Sequence, residues 1–273
     1  MRSSRRDMGD FLDLLAEAAI RNIDSGYYQC GALGGLPQRG VGRSLKEAIL
    51  KCRGAAIISE IKFASPSAGI LRVERDVGNI ARSMVEAGAA GISVLTEPTY
   101  FSGSLETLAR ARLSVDAPVL MKDIVLSRRQ IDAAYNLGAD AVLLIVALFR
   151  RGYCEAGLDD MIDYSHSRGL EVLLEAHDVE EFKMALLTKA DMIGINNRDL
   201  RTLRVDINTT KAILERVGKS EAGGRPIVSE SGVKSPEDIR FLKKCGADAF
   251  LVGTSVMSAG NIKDFIRGLV NAI

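Results

Sequence analysis

Eight short runs rich in branched aliphatic residues recur along this chain, and they limit its possible folds more than any other feature. They cover residues 56–61, 91–96, 118–121, 141–146, 171–175, 192–196, 226–229 and 249–252. Most are too short for a helix and almost continuously apolar, as strands buried on both faces of a parallel sheet are. Helix signals fall between them. Ser127 and Gln130 form a capping-box pattern after the third run, and Asp178 with Glu181 does the same after the fifth. Ser235-Pro236 places an N-cap and then proline at the first helical position after the seventh. Eight strand–helix units in 273 residues match the count and length of a (β/α)8 TIM barrel, which takes about 250 residues.

An internal repeat agrees with this count. Residues 86–95 read EAGAAGISVL, 136–145 NLGADAVLLI, 188–196 TKADMIGIN and 244–253 KCGADAFLVG. Each leads into an even-numbered run. In three of the four a glycine can end the preceding helix in the left-handed conformation. A repeat in every second unit fits a barrel made of quarter-barrels.

The first 54 residues precede the barrel units. Residues 11–23 are amphipathic, with Leu12, Leu15, Ala19 and Ile23 on one stripe. Ser44 and Glu47 form another capping box, opening a helix to about Arg53. Residues 26–42 hold six glycines and read as a loop. The segment is too short for its own core, so it is expected to cap the barrel within one domain spanning 1–273.

Several function classes lose support. Lys plus Arg (36) nearly balance Asp plus Glu (35), so the charge excess of a nucleic-acid binder is missing. No apolar run has membrane-spanning length, and the polar start lacks the core of a secretory signal, so a cytoplasmic protein is expected. Cys30, Cys52, Cys154 and Cys245 form no CxxC pair, and His166 and His177 no ligand pair, so no metal site is expected. P-loop, GxGxxG and GxSxG motifs are absent.

Charged and polar residues instead gather where the runs end. Buried charge is costly without a task, and this fold places its active sites at the C-terminal ends of its strands. Run one ends in Glu60 and Lys62, two apart and therefore on one strand face. Run three ends in Lys122-Asp123, run five in Glu175-Ala176-His177, run six in Asn196-Asn197-Arg198-Asp199 and run seven in Glu230-Ser231-Gly232. Ser231-Gly232 and Gly253-Thr254-Ser255, after the last two runs, have the make-up of a barrel phosphate site.

On these residues the chain resembles indole-3-glycerol-phosphate synthase. The motifs are 58–67 (ISEIKFASPS), 94–104 (VLTEPTYFSGS), 120–123 (LMKD), 133–146 (AAYNLGADAVLLIV), 194–203 (GINNRDLRTL), 228–233 (VSESGV) and 250–255 (FLVGTS). The resemblance runs from about residue 44 to the end and implies a TIM barrel with extra N-terminal helices. It implies closure of an indole ring on 1-(2-carboxyphenylamino)-1-deoxyribulose 5-phosphate with loss of carbon dioxide and water, in tryptophan biosynthesis, without cofactor or metal. Lys122 resembles the general acid that protonates the ketone. Lys62 resembles the partner of the substrate carboxylate and can also act as an acid in one step. Glu175 resembles the base or electrostatic partner in the dehydration. Glu60 and Asn196 resemble positioning groups, and Glu230 a further active-site carboxylate. Ser65, Arg198, Ser231, Gly232, Gly253 and Thr254 resemble phosphate and sugar contacts, and Phe101 and Leu143 the walls around the aromatic ring. Residues 26–42 depart from the family's helical N-terminal pattern, and the chain has no Trp where some members place one near the site.

Other readings stay open. Phosphoribosylanthranilate isomerase shares the phosphate site and substrate type but needs a cysteine after strand one, where this chain has Glu60 and Lys62. Lys122 could serve a Schiff-base aldolase, and a barrel that has lost activity could serve as a subunit. The expected partner is a small phosphorylated substrate, with the protein a monomer or weak homodimer.

Overall fold

In the computed structural model, which describes residues 10–31, 43–65, 69–73 and 75–273, eight parallel strands close into a barrel. They are β1 (Ala56–Ile61), β2 (Gly91–Leu95), β3 (Val119–Lys122), β4 (Ala141–Ile145), β5 (Glu171–Ala176), β6 (Met192–Asn196), β7 (Ile227–Glu230) and β8 (Ala249–Val252). Each strand pairs with its neighbours in sequence, and β1 closes the ring on β8 through Ala56–Ala249 and Ser59–Val252. The expected runs 56–61, 192–196 and 249–252 match to the residue; 91–96, 141–146 and 171–175 differ by one residue at the far end, and 118–121 and 226–229 are displaced by one residue as a whole. Among the described residues, no helix is long and apolar enough to cross a membrane.

Local signals set most helix ends. Ser127 and Ser235 both head reciprocal capping boxes, with Gln130 and Asp238 as partners. Two other expected boxes are one-sided. The Asp178 side chain accepts from the Glu181 N–H, but the Glu181 carboxylate turns to His177. The Ser44 hydroxyl accepts from the Glu47 N–H, while Glu47 pairs with Lys51, and that helix ends at Lys51 rather than Arg53.

The sequence repeat has a physical basis. Gly88, Gly138 and Gly246 take positive φ, as a left-handed helix end requires. The aspartate that follows does a second job in three of the four copies. Asp140 accepts from the Val119 N–H at 2.9 Å, Asp191 from Val172 at 2.8 Å and Asp248 from Ile227 at 3.0 Å. Each carboxylate therefore satisfies a backbone donor near the start of an odd strand, where the ladder leaves one spare. Each also meets a basic side chain: Arg112, His166 and Lys219 in turn. The first copy has Ala90 there and lacks the device.

The N-terminal segment does not form one cap. Helix α1 (Phe11–Asp24) lies at the C-terminal end of the barrel, where Asp10 and Asp13 hold Arg151, and Asp13 accepts from Tyr153. Helix α2 (Leu45–Lys51) plugs the opposite end. Its first N–H groups donate to Glu171, the first residue of β5, and Leu45 fills the space left by the missing Cβ of Gly91. Leu12, Leu15, Leu45 and Ile49 share one apolar cluster with inward residues of the strands, including Ile58, Leu120, Leu143 and Leu173. The core is thus sealed at both ends by residues before β1. Of the glycine-rich stretch, residues 26–31 lead from α1 and are anchored by side chains. Tyr27 donates to the Thr96 carbonyl, Tyr28 to Asp123, and the Cys30 carbonyl accepts from Asn136. Residues 32–42 lie outside the described residues.

Candidate active site

Strand periodicity delivers the charged residues to one place. Side chains two apart share a face. Ile58, Leu120, Leu173, Met192, Val228 and Leu251 all belong to the cluster inside the barrel. Two residues further along their strands come Glu60, Lys122, Glu175, Gly194, Glu230 and Gly253, and Asn196 follows Gly194 in the same series. These residues top the inward-facing column of each strand. Register keeps them level: Glu175 pairs with Gly194, and Asn196 with Glu230.

Lys122 is the centre of the arrangement. Its Nζ lies 3.3 Å from Glu175 Oε2 and 3.2 Å from Glu230 Oε2. Both carboxylates are fully buried, while the Lys122 side chain keeps 16% exposure, so a small molecule can reach it. Asn196 Nδ2 donates to Glu175 Oε1 at 3.0 Å, and Arg198 N–H to Asn196 Oδ1 at 3.0 Å. Lys62 pairs with Glu60 at 2.8 Å.

Burial and charge act against each other here. Burial disfavours the Lys122 cation, but Glu175, Glu230 and Glu60 outweigh it and hold the ammonium above its ordinary range. Burial also penalises the Glu175 anion. Lys122, His177 and Asn196 overcome that and keep Glu175 well below the usual carboxylate range. Glu230 is the opposite case. Burial and the neighbouring Glu175 charge push it up to about 8 against the pull of Lys122. Two buried carboxylates around one ammonium are thus pushed in opposite directions, Glu175 toward its anion and Glu230 toward its neutral form.

Two glycines make this packing possible. A Cβ on Gly194 would meet Glu230 Oε1, with Glu175 Cα 3.4 Å away, so only glycine lets Glu230 reach across to Lys122. A Cβ on Gly253 would meet Glu60 Oε1, with its Cδ at 3.0 Å. Gly253 is therefore required by a carboxylate, a reason the phosphate motif alone did not suggest.

The polar centre opens into a cavity of about 330 Å³. Glu60, Lys62, Phe101, Lys122, Leu143, Glu175, Asn196, Arg198, Glu230, Ser231, Gly232, Gly253 and Thr254 all line it, which unites every expected site residue but one. Ser65 is the exception. It is buried in a two-residue hairpin pair with Gly69 and is not among the lining residues. At the end of β7, Ser231 and Gly232 both have positive φ, and a Cβ on Gly232 would strike Val205 and Ile207 at 2.8 Å. Phe101 is set by Glu97, whose buried carboxylate accepts from the N–H groups of Thr99, Tyr100 and Phe101. Arg198 donates to the Leu203 carbonyl at 3.0 Å, and burial lowers its basicity.

Sequence reasoning gave no site role to four contributors. Leu15 of α1 lines the cavity, so the N-terminal segment does reach the site. Asp123 lines it too, and accepts from Thr96, Tyr28 and the Ile124 N–H; burial pushes its carboxyl up to about 6. His177 touches Glu175 from behind. Gly194 carried no motif of its own beyond its place in the inward column. Among the described residues, no group of three or more His, Cys, Asp or Glu is arranged to hold a metal ion.

A family model described as indole-3-glycerol phosphate synthase matches residues 36–269. The chain belongs to the indole-3-glycerol phosphate synthase family. Curated members are similar along most of its length. The one from Methanopyrus kandleri is 44% identical over 236 residues, covering 86% of this chain and 89% of that protein. The one from Caldanaerobacter subterraneus subsp. tengcongensis is 43% identical, covering 78% and 80%. Solved structures outside the family share the barrel alone. A thiamine phosphate pyrophosphorylase from Pyrococcus furiosus superposes with a TM-score of 0.59 at 18% identity, covering 84% of this chain and 97% of that one. An N-acetylmannosamine-6-phosphate 2-epimerase from Clostridium perfringens gives 0.58 at 14% identity, covering 79% and 92%.

Proposed function

We propose that this chain is a carboxy-lyase that closes the indole ring of 1-(2-carboxyphenylamino)-1-deoxyribulose 5-phosphate, releasing carbon dioxide and water and forming indole-3-glycerol phosphate for tryptophan synthesis. The observation that carries the reading is Lys122, held protonated between Glu175 and Glu230 on the wall of the cavity.

The chemistry follows from that placement. The aniline ring is a modest nucleophile and the ketone a weak electrophile. Proton donation to the ketone oxygen lets the bond form without a free alkoxide, and Lys122 supplies the proton. Its raised basicity keeps the proton in place until negative charge develops on the oxygen, which is then the stronger base. Lys62, steered by Glu60, faces the carboxylate that leaves as carbon dioxide. Glu175, ionised and aimed by Asn196, takes a proton during the dehydration that follows. Glu230 is the second buried carboxylate against the same ammonium and helps to fix its position. Phe101 and Leu143 flank the aromatic ring. Ser231, Gly232, Gly253 and Thr254, with Arg198, hold the phosphate. That grip lies away from the reacting carbons. Its binding energy bends a flexible chain into a reactive shape. On this reading the protein works in the cytoplasm, as a monomer or weak homodimer.

The test is direct. Purified protein is mixed with the substrate, without added metal or cofactor, and indole fluorescence is followed; the chain has no Trp to obscure it. A signal proportional to enzyme is expected. Folded protein that binds the substrate without a signal would overturn the reading. Arg198→Ala is expected to raise KM by about tenfold or more with kcat within about threefold, because it removes a grip made equally in ground and transition states. A large fall in kcat at unchanged KM would place Arg198 at the reacting atoms instead.

A further inference from the structure

Glu175 is held from both ends, and the second grip comes from a residue outside the cavity wall. Its Oε2 faces Lys122. Its Oε1 lies 3.0 Å from Asn196 Nδ2 and 3.1 Å from His177 Nε2. The other ring nitrogen of His177, Nδ1, lies 3.1 Å from Glu181 Oε2, and that same oxygen accepts from the His177 backbone N–H at 2.9 Å. His177 is absent from the residues lining the catalytic cavity. It lines a wider groove of about 800 Å³ together with Arg150, Glu181 and Asn196.

We propose that His177 is a positioning residue for the ring-closing reaction, which with Glu181 locks the carboxylate of Glu175 in its reactive rotamer and holds a positive charge behind it. The proposal rests on the reading of Glu175 as the base in dehydration. An imidazole flanked by a carboxylate at each nitrogen can satisfy both only with protons on both nitrogens. Burial opposes that charge, but Glu175 and Glu181 outweigh it and raise His177 to about 10. The charged groups facing this pair are few. Glu181 and Asp178 come from the helix after β5, and Arg150, at 3.7 Å from Glu181 Oε1, from the helix after β4. Lys122 and Glu230 act through Glu175 from β3 and β7.

The second cation matters because the first is consumed. When Lys122 passes its proton to the substrate, the charge on the Oε2 side of Glu175 disappears. A buried carboxylate left without a partner would take up a proton itself. His177 sits on the other oxygen and keeps its charge through that step. Glu175 therefore remains an aimed anion for its later work. The local sequence shows the trade: Glu181 gives up its half of the capping box with Asp178 to hold the imidazole.

The experiment compares wild type, His177→Ala, His177→Gln, Glu181→Gln and Glu175→Gln, with kcat and KM measured from the lowest pH at which each variant stays folded up to pH 10, and folding checked by melting. For His177→Ala, kcat is expected to fall roughly ten- to hundredfold while KM stays within about threefold. Loss of the imidazolium removes an influence that lowers the Glu175 pKa. Glu175 then protonates at higher pH, and the acidic limb of kcat moves up by about one unit. His177→Gln keeps a polar side chain beside Oε1 but no charge, so it regains part of kcat and leaves the limb displaced. Glu181→Gln lets the imidazole lose its proton at lower pH, which moves the alkaline limb of kcat down. Folded His177→Gln with wild-type kcat and unmoved limbs, while Glu175→Gln is inactive, would overturn the proposal alone. An active Glu175→Gln would overturn the reading of Glu175 and this proposal with it.

Discussion

Lys122→Ala is expected to lower kcat by about 10³-fold or more, since a positioned acid is worth up to roughly four orders of magnitude and no other ammonium lies between these carboxylates. Substrate binding should change far less, within about tenfold by titration, because the phosphate grip proposed above uses the ends of β7 and β8 rather than Lys122. The variant should fold. Removing the ammonium leaves Glu175 and Glu230 facing one another, but Glu230 already favours its neutral form, so the pair need not hold two charges. Lys122→Arg is the sharper comparison. It keeps a cation against both carboxylates but cannot release its proton near neutral pH, and it should be nearly as inactive. Turnover within tenfold of wild type in Lys122→Ala would remove Lys122 from the role of principal acid.

The second large effect concerns stability rather than turnover. Arg112 is fully buried, and its guanidinium meets Asp140 Oδ2 at 2.9 Å, the Ala117 carbonyl at 3.1 Å and the Val115 carbonyl. Asp140 also accepts from the Val119 N–H and lies 3.4 Å from Arg43. Asp140→Ala would strand a buried cation and leave the Val119 donor at the start of β3 without its acceptor. A loss of roughly 3–5 kcal/mol is expected, with a fall in Tm on the order of 10 °C. Asp140→Asn keeps an acceptor for Val119 and should lose less. The equivalent exchange at Asp248 should cost less still, because its partner Lys219 is about half exposed and solvent screens that pair. Equal losses at the two positions would mean that the backbone bond, not the buried charge, sets the cost.

The fold was legible because its signals are local. A continuous apolar run of four to six residues describes a strand wetted on neither face, whatever surrounds it. Ser127 and Ser235 meet their capping partners three residues away, so their helices start where the sequence says. The period of two then assigns faces, and the charged ends of β1, β3, β5 and β7 fall on the inner side without any knowledge of the ring. The one-sided boxes at Ser44 and Asp178 show the limit. In both, the carboxylate three residues after the cap takes a different local partner four residues away, Lys51 for Glu47 and the His177 ring for Glu181, and the box pattern alone does not say which contact wins.

What needed the tertiary structure is whatever depends on distance between remote residues. Leu15 reaches the cavity because α1 and α2 take opposite ends of the barrel, and no signal within either helix chooses an end. Ser65 lies in its hairpin rather than on the cavity wall, although it shares a motif with Glu60 and Lys62. Gly194 must be glycine because Glu230, thirty-six positions later in the chain, swings across it. The charge states are the clearest case. Glu175 and Glu230 are the same residue type in the same inward column. Glu175 is drawn toward its anion and Glu230 toward its neutral form, and Glu175 alone has Asn196 and His177 beside it. The sequence by itself determined the barrel and the polar residues at the C-terminal ends of its strands, since these follow from neighbours in the chain. Only closure of the ring decided in which direction each carboxylate's acidity shifts, since that depends on fields among side chains that meet nowhere but in the folded protein.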